Sequence, residues 1–228
     1  MKKKAILILC IFIIFISFTG CSEKSSKETT KENNDVLFSL DADAALKQLY
    51  GTIDEYNKSD AVEAIVKGNI TDVEYVYING CSYSILTIDV EQFYKGNKGK
   101  KTIKVYEDGG YVKYTDIRNE LKSKSDFSEE NLTEDQINNG IVDFRFFNAP
   151  HSQKGQKVLL YLFYNVEPLP TDSYMIVSSV YGKFTLNEEN NKYERISINN
   201  DGEEIFENFV TSMPEEELNS KLTGAFTK

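Results

Sequence analysis

A chain with one histidine has few routes to acid–base or metal chemistry. His151 is that residue, in the loop-like setting Asn148-Ala149-Pro150-His151-Ser152. A multi-histidine metal site is therefore excluded, and a nucleophilic triad would have to centre on His151. Ser152 is its sequence neighbour rather than the serine of a G-x-S-x-G elbow, so a solvated loop histidine is expected. Acids cluster at Glu129-Glu130, Glu188-Glu189, Asp201-Gly202-Glu203-Glu204 and Glu215-Glu216-Glu217. None has the alternating Asp/Asn spacing, central glycine and distant glutamate that enclose calcium. Solvated acidic surface is the expectation, with no metal and no cofactor. A glycosidase pair leaves no local signature, because its carboxylates come from distant strands. An extracellular, glycosidase-like hydrolase using dispersed carboxylates therefore stands as the alternative reading of function.

Tyrosine carries a sharper signal. Of fourteen, Tyr75, Tyr77, Tyr83, Tyr94, Tyr106, Tyr111 and Tyr114 crowd one stretch. Exposed tyrosines stack on sugar rings or peptide, although tyrosine is equally an ordinary strand former. Tyr75, Tyr77, Tyr83 and Tyr94 are the candidate ligand-binding residues, and no residue is assigned a catalytic role.

The cysteines concern location. Met1-Lys2-Lys3-Lys4 is followed by an apolar run from Ala5 to Phe18, the n- and h-regions of an export signal. Its fourteen residues fall short of the roughly twenty needed to span a bilayer core, so a permanent transmembrane helix is the weaker reading. Ser17-Phe18-Thr19-Gly20-Cys21-Ser22 resembles a lipobox, whose cysteine is diacylated and becomes the new N-terminus; Phe18 departs from the usual aliphatic residue. The alternative is an ordinary signal peptide with a coincidental cysteine. Two acyl chains anchor durably where one binds only reversibly. The expected partner is thus the membrane, through lipid on Cys21, and the location its extracytoplasmic face. Cys10 leaves with the leader, so the mature body keeps Cys81 alone, read as a small residue at a turn or strand start, and no internal disulfide forms.

Removing residues 1–20 takes three lysines and no acids, moving the formal charge from −10 to −13. Nucleic acid, which is bound by neutralising phosphates, is not an expected partner. Residues 21–35 are polar throughout after the cysteine and read as a flexible tether. Residues 36–228 suit a single domain.

Within that domain the apolar spacing of Leu46, Leu49, Tyr50, Ile53 and Tyr56 predicts an amphipathic helix between Ser39 and Lys58. Strands are predicted from Glu63 to Tyr77, from Ser82 to Tyr94 after the hairpin signal Asn79-Gly80, and from Thr102 to Tyr106. An acid-rich insertion follows at about 110–150, with a short helix near 129–138; its length marks it as a binding surface. Lys157 to Tyr164 is continuously apolar, as in a strand covered on both faces, with a buried helix the alternative that period alone leaves open. Tyr174 to Leu186 reads as a strand bent at Tyr181-Gly182 that pairs with Tyr193 to Ile198, and a closing helix begins after Pro214.

Six segments recur in the order seen in a family of secreted and lipid-anchored Gram-positive proteins: Ser59-Asp60 through Gly68; Phe93-Tyr94-Lys95-Gly96; Ile103-Lys104-Val105; Gly109-Gly110; Gly155 through Leu162; and Tyr181-Gly182-Lys183-Phe184. The chain resembles that family over residues 59 to 198 and departs from it in the long insertion. The resemblance implies a body like the oligonucleotide/oligosaccharide-binding (OB) fold and transfers no activity. The expected architecture is mainly β, an OB-like Greek-key barrel of five or more strands with an N-terminal and a C-terminal helix. The expected function is a non-enzymatic binding or interaction module of the cell envelope, holding a glycan, peptide or protein. Replacing Cys21 with alanine is expected to abolish metabolic labelling by palmitate and release the protein from the membrane; labelling that persists contradicts the anchor.

Overall fold

The structure, a computed structural model, describes residues 36–42, 46, 48–124, 128–164, 167, 169–170, 172–197 and 210–226. The expected leader and tether, with Cys10 and Cys21, lie outside them. The fold is mainly β. A large sheet contains β2 (Ala64–Ile78), β3 (Cys81–Lys95), β4 (Thr102–Asp108), β7 (Lys157–Tyr164), β8 (Ser173–Ile176), β9 (Lys183–Asn187), β10 (Lys192–Glu194) and β11 (Ser212–Pro214). A smaller sheet has β1 (Val36–Ala42), β6 (Ile141–Phe146) and β5 (Gly110–Lys113), in that order.

The long β2–β3 hairpin turns at Asn79-Gly80, both at positive φ (49° and 82°), the conformation that a tight, strand-matched turn demands. The strand β7 organises the interior. Leu159 and Tyr161 face one apolar cluster with Tyr56, Phe184 and Tyr193; Val158, Leu160 and Leu162 face another with Val66, Leu86, Ile88 and Val105. Alternation thus buries both faces, which is why its sequence is apolar without a break. One edge of β7 pairs with β2, and the other is shared by β8 at Leu162–Tyr164 and β9 at Val158–Leu160. Between β8 and β9 the chain leaves the edge through Ser178 and Ser179, at φ 59° and 57°, and a 3₁₀ turn at Ser179–Gly182. Because β4 pairs in parallel with β8, the pairings run β2–β3–β4–β8–β7 and return to β2.

The helix expected between Ser39 and Lys58 is corrected. Among the described residues of that span only α1 (Ile53–Lys58) is helical, and Val36–Ala42 is a strand held by parallel pairing to β6. The helix starts late because Thr52 and Glu55 form a capping box, and because the carbonyls of Tyr50 and Gly51 are drawn to Arg195. The insertion is an ordered unit: β5, α2 (Tyr114–Lys124), α3 (Glu134–Asn139) and β6 bury Val112, Tyr114, Ile117 and Val142 against Phe38 and Leu40 of β1. Thr133 and Gln136 cap α3, which starts at Glu134 rather than near Glu129. The closing helix α4 (Glu215–Phe226) follows Pro214, opens with three acids at its positive end and buries Leu218 and Leu222.

Arg195, 7 % exposed, clasps three separate segments. Its guanidinium donates to Tyr50 O (3.0 Å), Gly51 O (2.5 Å), Tyr181 O (3.4 Å) and Val210 O (2.7 Å), and lies 4.9 Å from the Phe184 ring centroid. Arg195→Met strands those buried carbonyls and is expected to lower stability by about 3 kcal/mol or more. Arg195→Lys should fail to restore it, because an ammonium cannot reproduce the fork of donors. Denaturant unfolding of both variants is the check, and wild-type stability in the lysine variant contradicts the clasp.

Candidate functional site

Alternation along β2 sends Tyr75 and Tyr77 to one face and Val76 to the other, where Val76 packs with Ile85 and Tyr106. The tyrosine face meets β5 of the small sheet, where Tyr111 pairs across from Asp143. Gly110 permits the approach: at φ 154°, a Cβ there would stand 2.8 Å from Tyr75 Cδ1. The Tyr75 and Tyr111 rings meet edge-on at 5.0 Å and 83°. His151 completes a wall, its ring 4.7 Å from Tyr111 and 6.3 Å from Tyr75.

Asp143 sets that wall. Its side chain is 4 % exposed, and Oδ1 lies 2.6 Å from His151 Nε2. Oδ2 accepts from Arg145 Nε at 2.9 Å, from Arg145 Nη2 at 2.7 Å and from Ser39 Oγ at 3.2 Å. Burial alone would raise the pKa of Asp143, but the bonds from Arg145 and His151 outweigh it and hold the carboxyl below its ordinary value. His151 is therefore not the solvated loop residue expected from its sequence setting. Its side chain is 11 % exposed, paired with a buried acid and packed at a tilt against tyrosine.

Between the two sheets lies a cleft of about 270 Å³, lined by Tyr75, Tyr77, Tyr111, Lys113, Asp116, Asn138 and Asn139 among others. The Tyr77 hydroxyl donates to Glu120 Oε2 at 2.8 Å, which fixes the ring against α2. Burial, with Tyr111, Glu107 and Asp143 nearby, pushes the Tyr75 hydroxyl up to about 12; burial and the bond to Glu120 raise Tyr77 further. Both stay protonated at neutral pH, so neither is a phenolate nucleophile; Tyr75 offers its ring and hydroxyl, and Tyr77, whose O–H is given to Glu120, offers its ring. With amide, ammonium and carboxylate groups along its rim, the cleft can stack on a ring and hydrogen-bond its substituents.

The other two candidate tyrosines lie elsewhere. Tyr83 is half-buried, 6.0 Å from the Tyr106 ring on another patch. Tyr94 is 5 % exposed in the core, and its hydroxyl donates to Asn219 Oδ1 of α4 at 2.8 Å. Tyr111 belongs to the site although it was weighed only with the wider tyrosine group. Cys81 is an exposed free thiol at the start of β3.

The acids also depart from a uniformly solvated surface. Glu129 accepts from Arg118 (2.6 and 2.7 Å), Lys122 (2.8 Å) and Tyr114 (2.5 Å), and those bonds drive its pKa far down. It ties α2 to the segment before α3. Glu107 is buried in an ion pair with Lys183, which also donates to Ser152 Oγ at 2.7 Å. Burial raises the pKa of neighbouring Asp108, whose Oδ2 accepts from Ser179 Oγ at 2.5 Å. These groups escaped sequence reasoning because each partner comes from a distant segment. No group of acids, cysteines and histidine suited to a metal ion occurs among the described residues.

Compared with known proteins, the chain matches no family model and no curated protein. The site must be read from its own geometry.

Asp143→Asn removes the charge that holds His151 and Arg145, and is expected to cost about 1–3 kcal/mol at pH 7. Because the folded carboxyl has the lower pKa, its stabilisation is fully present above the ordinary aspartate value of about 3.9 and is lost as pH falls through the folded value. The stability difference between variant and wild type should therefore shrink toward zero in acid. Unfolding measured from pH 7 to 2 tests this, and a difference that stays constant with pH contradicts the charge-based account.

Proposed function

We propose that the protein is a cell-envelope lipoprotein, held to the extracytoplasmic face of the membrane through Cys21, whose cleft between the two sheets binds an envelope glycan or peptide without chemistry. The observation that carries this reading is the cleft lined by Tyr75, Tyr77 and Tyr111. Two ring faces, two protonated hydroxyls and flanking amides are the groups that recognise a hydroxyl-rich ring or an extended peptide. The buried acids support binding over hydrolysis, since Asp143, Glu107 and Asp108 are each engaged by internal partners.

The body is read as an OB-like barrel. Taken in chain order, β2, β3, β4, β7 and β8 pair first to second, second to third, third to fifth in parallel, fifth to fourth and fourth to first. That order supports reading these strands as a five-stranded Greek-key barrel. The insertion of β5, α2, α3 and β6 enters between its third and fourth strands and brings Tyr111 against Tyr75. No helix among the described residues is long and apolar enough to cross a membrane. The acidic balance, −10 over the whole chain, favours neutral or cationic envelope components over nucleic acid.

The full chain in detergent micelles should co-sediment with purified cell-wall glycan or its peptide-bearing form. Tyr75→Ala combined with Tyr111→Ala is expected to weaken that binding by about tenfold or more, while Tyr83→Ala leaves it unchanged. Equal binding by the cleft variant and wild type overturns the assignment.

A further inference from the structure

The tyrosine cleft holds one acid that no side chain pairs with. Four carboxylates stand near its rings: Glu107 and Asp143 act on the Tyr75 hydroxyl, and Glu120 and Asp116 on that of Tyr77. Three of them are taken up within the protein. Asp143 is held by Arg145 and His151, Glu107 by Lys183, and Glu120 by the Tyr77 hydroxyl. Asp116 lines the cleft from the first turn of α2, is exposed, and among the described residues accepts no hydrogen bond and joins no ion pair. The positive end of the helix supports its charge without pairing with it. Lys113, the one cation of the lining, is exposed and has an interaction of its own, which leaves Asp116 unpaired.

The rings supply the second part of a cation site. A tyrosine face is the negative side of the ring quadrupole, and it attracts a cation within about 6 Å of its centroid. Elsewhere the fold satisfies such faces from within: Lys67 Nζ lies 5.8 Å from the Tyr193 centroid, Lys100 Nζ 5.9 Å from that of Tyr174, and the Arg195 guanidinium 5.6 Å from that of Tyr56. Among the described residues no cation of the protein stands over Tyr75, Tyr77 or Tyr111. Three aromatic rings without an internal cation and a carboxylate without a partner therefore border the same space.

We propose that the tyrosine cleft recognises an organic ammonium group, held against the rings of Tyr75, Tyr77 and Tyr111 and paired with Asp116. This names the ligand class within the binding function proposed above and rests on that reading. At about 270 Å³ the cleft falls just below the roughly 300–1,000 Å³ of sites for drug-sized ligands, so it takes one residue of a polymer rather than several. An unacetylated amino sugar and a peptide amine share the required chemistry. Acetylation removes it, because the amide carries no charge for Asp116 or for the rings.

Ligand-observed NMR titration of the full chain in detergent micelles, at about 0.15 M salt to screen diffuse attraction, compares glucosamine with N-acetylglucosamine, and Nα-acetyl-lysine amide with its Nε-acetylated form. Each amine is expected to bind about fivefold or more tightly than its acetylated counterpart. A preference in the sugar pair alone assigns an amino sugar, in the lysine pair alone a peptide amine, and in both the shared chemistry. Asp116→Asn should bring the members of each pair within about twofold of one another, whereas Asp116→Glu keeps the preference and Lys113→Gln does not weaken it. Tyr75→Ala combined with Tyr111→Ala should abolish the preference, which separates the cleft from general attraction of cations to an acidic protein. Equal affinities within both pairs, a preference that survives in folded Asp116→Asn or in the tyrosine variant, or its loss in Lys113→Gln overturns the inference and leaves a cleft for neutral ligands standing. Binding by none of the four compounds also overturns it; if the tyrosine variant then binds cell wall as wild type does, the reading of the cleft falls as well.

Discussion

The carboxylate of Asp143 is the constraint on which the arrangement of the two sheets depends. A buried charge is tolerated only where donors replace the water it has lost, and here the donors come from three places. Ser39 lies on β1, Arg145 beside Asp143 on β6, and His151 in the loop leading to β7. Satisfying one acid therefore fixes the first strand of the domain, the last strand of the insertion and the orientation of the sole histidine. Once the imidazole is set, Tyr111 and Tyr75 pack on it in turn, and the cleft follows from that packing. Arg195 has a complementary role beside β9 and β10, where its positive charge is satisfied chiefly by main-chain carbonyls.

Much of the strand pattern was legible in the sequence because its cause is local. The Asn79-Gly80 turn, the alternation of β3 and the unbroken apolar run of β7 each reflect a requirement met within a few residues. By contrast, β1 was misread as helix because its partner β6 lies about a hundred residues away, and the three- and four-residue apolar spacing from Leu46 to Tyr56 mimics a helical stripe. A visible signal could have limited that error: Thr52 three residues before Glu55 is a capping box that starts a helix at Ile53 and no earlier. Thr133 and Gln136 mark the start of α3 in the same way.

The site was half legible. Tyr75 and Tyr77 were recognisable as a same-face pair, and they do line the cleft. Tyr94 has the same residue type and strand setting, yet its face is covered by α4, an element more than a hundred residues downstream. Nor does any spacing join His151 to Asp143, since their separation of eight positions matters less than the β6 register that brings Asp143 opposite Tyr111. Long-range pairing decides which tyrosines are core and which face a cleft.

Taken together, the described domain and the lipid anchor proposed for it imply a division of labour. In that proposal the large sheet supplies a rigid support, the insertion supplies the second wall of the cleft, and the acylated tether would hold both near the envelope. The most direct test is amide hydrogen exchange of the intact protein with and without cell-wall glycan. The account predicts slowed exchange in residues 110–116 and 138–141, which border the tyrosine cleft, and unchanged exchange in α4. Protection confined to α4 or to the β3–β4 turn, with none at the cleft, would contradict it.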